Sequence, residues 1–108
     1  MGTRTSIRIK NNEQYLCSKY INMDGHVANW APILITALNQ TSPKEILKNR
    51  QLLKFMCDNY YGSDNMLSYL CIVNISDNQY KVTISGYNSK LLFEGTLDEF
   101  AEKYDEIH

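Results

Sequence analysis

The chain has 108 residues, 44% of them hydrophobic, with eleven basic residues against twelve acidic ones and a formal charge of −1. That length holds one core, hence a single domain over residues 1–108, and the apolar share excludes a disordered chain. The even charge excludes a nucleic-acid binder that works through a whole-domain positive field.

Thr5-Ser6-Ile7-Arg8-Ile9-Lys10 alternates apolar and polar residues, the period of a half-buried strand. Asn11-Asn12-Glu13 is a turn signal, and extended structure resumes over residues 14–21, giving a hairpin. Asp24-Gly25 follows as a tight turn in which Gly25 is expected to supply a positive φ. A helix capped by Asn29 comes next, its apolar stripe formed by Trp30, Ile33, Leu34, Ala37 and Leu38 and its Pro32 in the first turn. Ser42-Pro43-Lys44-Glu45 is a capping-box start to a second helix. Its buried face is read as Ile46, Leu47, Leu53, Met56, Cys57 and Tyr60, with Gly62-Ser63-Asp64-Asn65 ending it.

Residues 66–75 are apolar on both alternating sets, as in a central strand. Ser76-Asp77-Asn78 turns the chain into a strand with Tyr80, Val82 and Ile84 inward, and Asn88-Ser89 turns it again into residues 90–95. Thr96 with Glu99 forms a second capping box, before a short helix carrying Phe100, Ala101 and Tyr104. The order is ββ-αα-βββ-α. The hairpin-length connections predict an α+β fold, an antiparallel sheet of about five strands with two to three helices packed on one face.

Gly2-Thr3-Arg4-Thr5-Ser6-Ile7, Tyr20, Asp24-Gly25 and Pro32-Ile33-Leu34 resemble a group of small phage and prophage proteins of unassigned function. Those proteins open with a Thr-Arg-Ser/Ala-x-Ile strand and end their second strand in a Tyr-x-His-Trp-Asp-Gly turn. The likeness covers residues 2–38. Where that group has His-Trp before Asp-Gly, this chain has Asn22-Met23. The resemblance implies a mobile-element origin and a shared α+β fold.

The three cysteines, Cys17, Cys57 and Cys71, form no CxxC pair, which argues against structural zinc and for buried, reduced thiols in cytoplasm. No apolar run approaches the ~20 residues of a membrane span, and no phosphate-loop, dinucleotide or zinc-protease motif occurs. No cofactor and no metal are expected. At the first junction, His26 beside Asp24 offers a base with a carboxylate to orient it, the seed of a small hydrolase. The competing reading makes Asp24 a turn residue, His26 a solvated helix-entry residue and Trp30 core, its indole N–H on a turn carbonyl.

Arg4, Arg8, Lys10 and Lys19 gather on the first hairpin, Lys44, Lys48, Arg50 and Lys54 on the second helix. Arg8 and Lys10 lie opposite Ile7 and Ile9, so their strand face is expected to meet solvent and to carry binding. With tyrosines at 60, 61, 69, 80 and 87, residues suited to contact surfaces, the chain reads as a non-enzymatic phage or prophage binding protein. It would dock on a host or viral macromolecule, an inhibitor of a host defence system being one form. A protein partner is expected. Nucleic acid or nucleotide bound by Arg4, Arg8, Lys10 and neighbouring tyrosines is the alternative, and the free sheet edge offers a homodimer contact.

Overall fold

The computed structural model describes residues 3–49, 53 and 67–107. Among these residues five strands and three α-helices occur, in the order β1 (Thr5–Asn11), β2 (Gln14–Ile21), α1 (Val27–Gln40), α2 (Pro43–Lys48), β3 (Tyr69–Ser76), β4 (Gln79–Ser85), β5 (Leu91–Thr96) and α3 (Leu97–Lys103). The chain is an α+β protein with the element order read from its sequence.

The sheet is mixed rather than antiparallel throughout. Its strands lie in the order β2-β1-β3-β4-β5, and β1 pairs with β3 in parallel, Thr5 opposite Tyr69 and Asn11 opposite Ile75. The three short turns do give antiparallel pairs. The connection over residues 22–68, which contains α1 and α2, is long enough to carry the chain back to the starting end of β1. A crossover of that length permits parallel pairing, which a hairpin loop does not.

Alternation along the strands sorts the residues onto two faces. Ile7, Ile9, Cys71, Val73, Ile75, Tyr80, Val82 and Ile84 are buried together with Trp30, Ala31, Leu34 and Phe100 from the helices. Phe100 packs on Phe93 and Trp30, with ring centroids 5.5 and 6.2 Å away, so α3 and α1 are joined through one aromatic cluster. Tyr80 donates its hydroxyl to the Thr41 carbonyl, tying the end of α1 to β4. Burial pushes the Cys71 thiol upward, which keeps it protonated at neutral pH and without thiolate reactivity; Cys17 is buried as well, and neither is in a disulfide.

The expected capping boxes are present. Ser42 and Glu45 exchange hydrogen bonds at the start of α2, and Thr96 and Glu99 do so at the start of α3. The α1 stripe is rotated from the one the sequence suggests. Val27, Trp30, Ala31, Leu34 and Leu38 are buried, whereas Ile33 is 57% exposed and Ala37 half-buried. The helix begins at Val27 with His26 as N-cap, three residues earlier than an Asn29 cap implies, so Pro32 sits past the first turn. Asn29 instead donates its side-chain amide to the Asp24 carbonyl, at 3.0 Å. In α2 Ile46 is buried but Leu47 is exposed, and Leu53, past the end of α2, is buried; in α3 Phe100 is buried while Ala101 is exposed. Met56, Cys57, Tyr60 and the Gly62-Ser63-Asp64-Asn65 terminator lie outside the described residues, as do Arg50 and Lys54.

A candidate binding cleft at one end of the sheet

Residues at the start of β1, the end of β2, the start of β3 and the end of β4 meet at one end of the sheet, since Thr5 pairs with both Ile21 and Tyr69, and Leu70 pairs with Ser85. Two turns flank that end. The first is Asp24-Gly25-His26. Asp24, at φ 58°, takes the left-handed conformation expected of Gly25, whose own φ lies outside that region. Asparagine and aspartate tolerate this conformation through local side-chain polarity.

Gly25 is needed for a different reason, close approach. A Cβ there would stand 2.6 Å from the Thr3 carbonyl oxygen and 2.7 Å from Thr5 Oγ1. The Gly25 amide donates to the Thr3 carbonyl at 2.9 Å, and its own carbonyl accepts from Thr5 Oγ1 and from Trp30 Nε1. The indole thus reaches a turn carbonyl, as the sequence suggested. This is a turn locked to β1 and α1.

His26 is exposed, with Nε2 3.2 Å from Thr3 Oγ1. Among the described residues no hydrogen bond joins it to the Asp24 carboxylate, and no group of three His, Cys, Asp or Glu side chains is placed to hold a metal ion. The pairing that would orient His26 as a general base is therefore not made through Asp24.

The second turn joins β4 to β5. The Gly86 amide donates to the Lys90 carbonyl at 2.7 Å and the Ser89 amide to the Gly86 carbonyl at 3.1 Å. Asn88 and Ser89 both have positive φ, 60° and 62°. This geometry pushes Tyr87 and Leu91 outward, 71% and 57% exposed. Between the two turns lies an open cleft of about 500 Å³ bounded by Thr3, His26, Ser68, Tyr69, Tyr87 and Lys90, with Gly86 and Leu92 completing it. On the other side of Tyr87 a second concavity of about 330 Å³ is lined by Leu67, Leu70, Ser85, Asn88 and Ser89. Tyr87 borders both.

The basic residues of the first hairpin are not gathered into a patch. Arg8 is 7% exposed, and Ser6 and Ser18 beside it are fully buried, so the expected solvent-facing strand face is corrected here. From Thr5 to Ile9 the strand is buried on both alternating sets, so this face does not meet solvent, and Arg8 Nε donates to the buried Ser6 Oγ at 3.0 Å. Lys19 pairs with Ile7 across the β1–β2 ladder and so shares the helix-covered face, opposite Arg8. Arg4 and Lys10 are half-buried. Of the tyrosines read as contact residues, Tyr80 is core, Tyr69 half-buried and Tyr87 exposed; Tyr60 and Tyr61 lie outside the described residues.

Sequence reading missed Thr3, Ser68 and Lys90 as site residues. The Asn88-Ser89 turn signal marks where Tyr87 and Lys90 are presented, but only the fold brings that turn beside His26. No helix among the described residues is long and apolar enough to cross a membrane. No family model, no curated protein and no solved structure matches this chain.

Proposed function

We propose that this chain is a non-enzymatic binding protein that docks on a macromolecule through the end of the sheet bearing Tyr87 and Leu91. One observation carries the reading: Tyr87 stands 71% exposed between two concavities. A large aromatic with a polar tip, held up by a turn and flanked by hollows that accept partner side chains, matches the anatomy of interface anchor residues. Leu91 extends the apolar contact along the first residue of β5.

The partner is a protein. A buried Arg8 and a Lys19 on the opposite face give a nucleic-acid backbone no continuous basic track, which weighs against the reading that used Arg4, Arg8 and Lys10 with neighbouring tyrosines. The likeness of residues 2–38 to phage and prophage proteins supports a finer form, a cytoplasmic protein that acts on a host or viral target, including a component of a host defence system. The strands at the sheet edges, β2 and β5, are where a second copy would add to make a homodimer.

The test is capture from host lysate on the immobilised chain, with and without nuclease, for the wild type and Tyr87→Ala. The expected result is a protein retained after nuclease treatment and lost in the variant. Retention abolished by nuclease would assign a nucleic-acid partner instead, and retention indifferent to Tyr87 would remove this end of the sheet from the interface.

A further inference from the structure

We propose that the cleft between His26 and Tyr87 binds a nucleoside phosphate, with the phosphate at Lys90 and His26 and the base against the Tyr87 ring. The inference rests on the reading of this end of the sheet as the binding end and names a small-molecule occupant for it.

Charge comes first. The whole chain is slightly acidic, at −1, yet the described residues that line this cleft include Lys90 and His26 and no carboxylate. Lys90 makes no ion pair with a described residue. An ammonium and an imidazole bordering one hollow form a local anion site without a basic domain, and phosphate oxygens accept from both.

Hydroxyls come second. Thr3, Ser68, Tyr69 and Tyr87 all contribute to the wall. Hydroxyl groups both donate and accept, which suits the ribose hydroxyls of a nucleoside. Ring faces come third: Tyr87 is exposed and Tyr69 half-buried, and every base has a π-face that stacks on an aromatic side chain. The volume of about 500 Å³ falls within the ~300–1,000 Å³ typical of small-ligand clefts.

The experiment is a calorimetric titration of the full chain with adenosine and uridine 5′-monophosphates, adenosine, inorganic phosphate and a 5′-phosphorylated trinucleotide. At least one monophosphate should bind with Kd below about 1 mM and at least about tenfold more tightly than adenosine or phosphate alone. Lys90→Glu and Tyr87→Ala should each weaken it by about tenfold or more, while Lys48→Glu, on the exposed side of α2, should leave it unchanged. Amide shifts on binding should concentrate at Ser68, Tyr69 and residues 86–90. Equal affinity for the trinucleotide would assign the end of a strand as the source, and preference for the monophosphate a free nucleotide.

No monophosphate binding up to about 5 mM, or binding insensitive to Lys90→Glu, overturns the inference. If that happens while Tyr87→Ala still loses the captured macromolecule, the docking reading stands alone. Nucleotide binding with capture indifferent to Tyr87 gives the reverse outcome.

Discussion

The two turns that flank the cleft are built in opposite ways. The Asp24-Gly25-His26 turn is held by bonds to the rest of the fold: the Gly25 amide reaches Thr3, and its carbonyl receives Thr5 and Trp30. The turn at residues 86–90 is closed by its own backbone, from Gly86 to Lys90 and from Ser89 to Gly86, and exposes Tyr87 and Leu91. The first is rich in residue types associated with chemistry, yet its backbone is tied into β1 and α1, which leaves the exposed His26 ring at its edge. The second is made of ordinary turn residues and presents an aromatic to solvent. Residue type suggests reactivity, but where the hydrogen bonds go decides which residues remain available to a partner.

Gly25→Val tests the locked turn hardest. With a Cβ facing the Thr3 carbonyl at 2.6 Å, the backbone must shift and lose the bonds that converge there, at an expected cost of about 3 kcal/mol in urea unfolding. A loss under ~0.5 kcal/mol would show that the turn has slack and that the contrast with the second turn is false.

Arg8→Glu follows. A carboxylate placed where the guanidinium is 7% exposed loses the bond to Ser6 and is buried as an anion, so a loss of about 2–3 kcal/mol is expected. Unchanged stability would return this face to solvent and restore the first hairpin as a binding surface. Trp30→Phe keeps most of the packing and deletes the indole donor to Gly25, and should cost about 1–2 kcal/mol. A neutral result would mean that the Thr5 hydroxyl alone satisfies the carbonyl.

The capping boxes give a smaller, pH-dependent signature. Hydrogen bonds from the Ser42 and Thr96 backbones hold the Glu45 and Glu99 carboxyls below the usual carboxylate range. A depressed folded-state value means that the stabilisation is fully present above the ordinary value. It is lost as pH falls through the folded one, from about pH 5 downward. The double variant Glu45→Gln, Glu99→Gln should therefore show a shallower fall in Tm with acid than the wild type. Identical slopes would place the acid sensitivity elsewhere.

Much of the architecture was legible because it depends on local signals. Positive-φ residues mark the turns at Asn12, Asp77, Asn78, Asn88 and Ser89, and both capping boxes form where Ser42-Glu45 and Thr96-Glu99 occur. What failed was non-local. The parallel β1–β3 pairing depends on how far residues 22–68 travel, and hairpin spacing carries no information about that. The α1 stripe was displaced because Pro32 and Asn29 suggested a later start, so Ile33 was placed inside where Ala31 belongs. Strand parity placed Arg8 opposite Ile7 and Ile9, but it does not determine whether that second face is left to water, and β1 is buried on both. The cleft itself is a meeting of four chain segments, and Lys90 gains its meaning only from standing across from His26.

The most direct test of the central claim, that the exposed turn carries the anchor for the macromolecular partner, is a paired affinity measurement on the captured partner. Tyr87→Ala is compared with Tyr15→Ala; Tyr15 is an exposed tyrosine of β2 that pairs with Lys10. Both variants should unfold within about 0.5 kcal/mol of the wild type, as exposed substitutions do. The account predicts that Tyr87→Ala weakens binding by about tenfold or more, the signature of an anchor residue, and that Tyr15→Ala leaves it unchanged. Loss in Tyr15→Ala with Tyr87→Ala unaffected would contradict it.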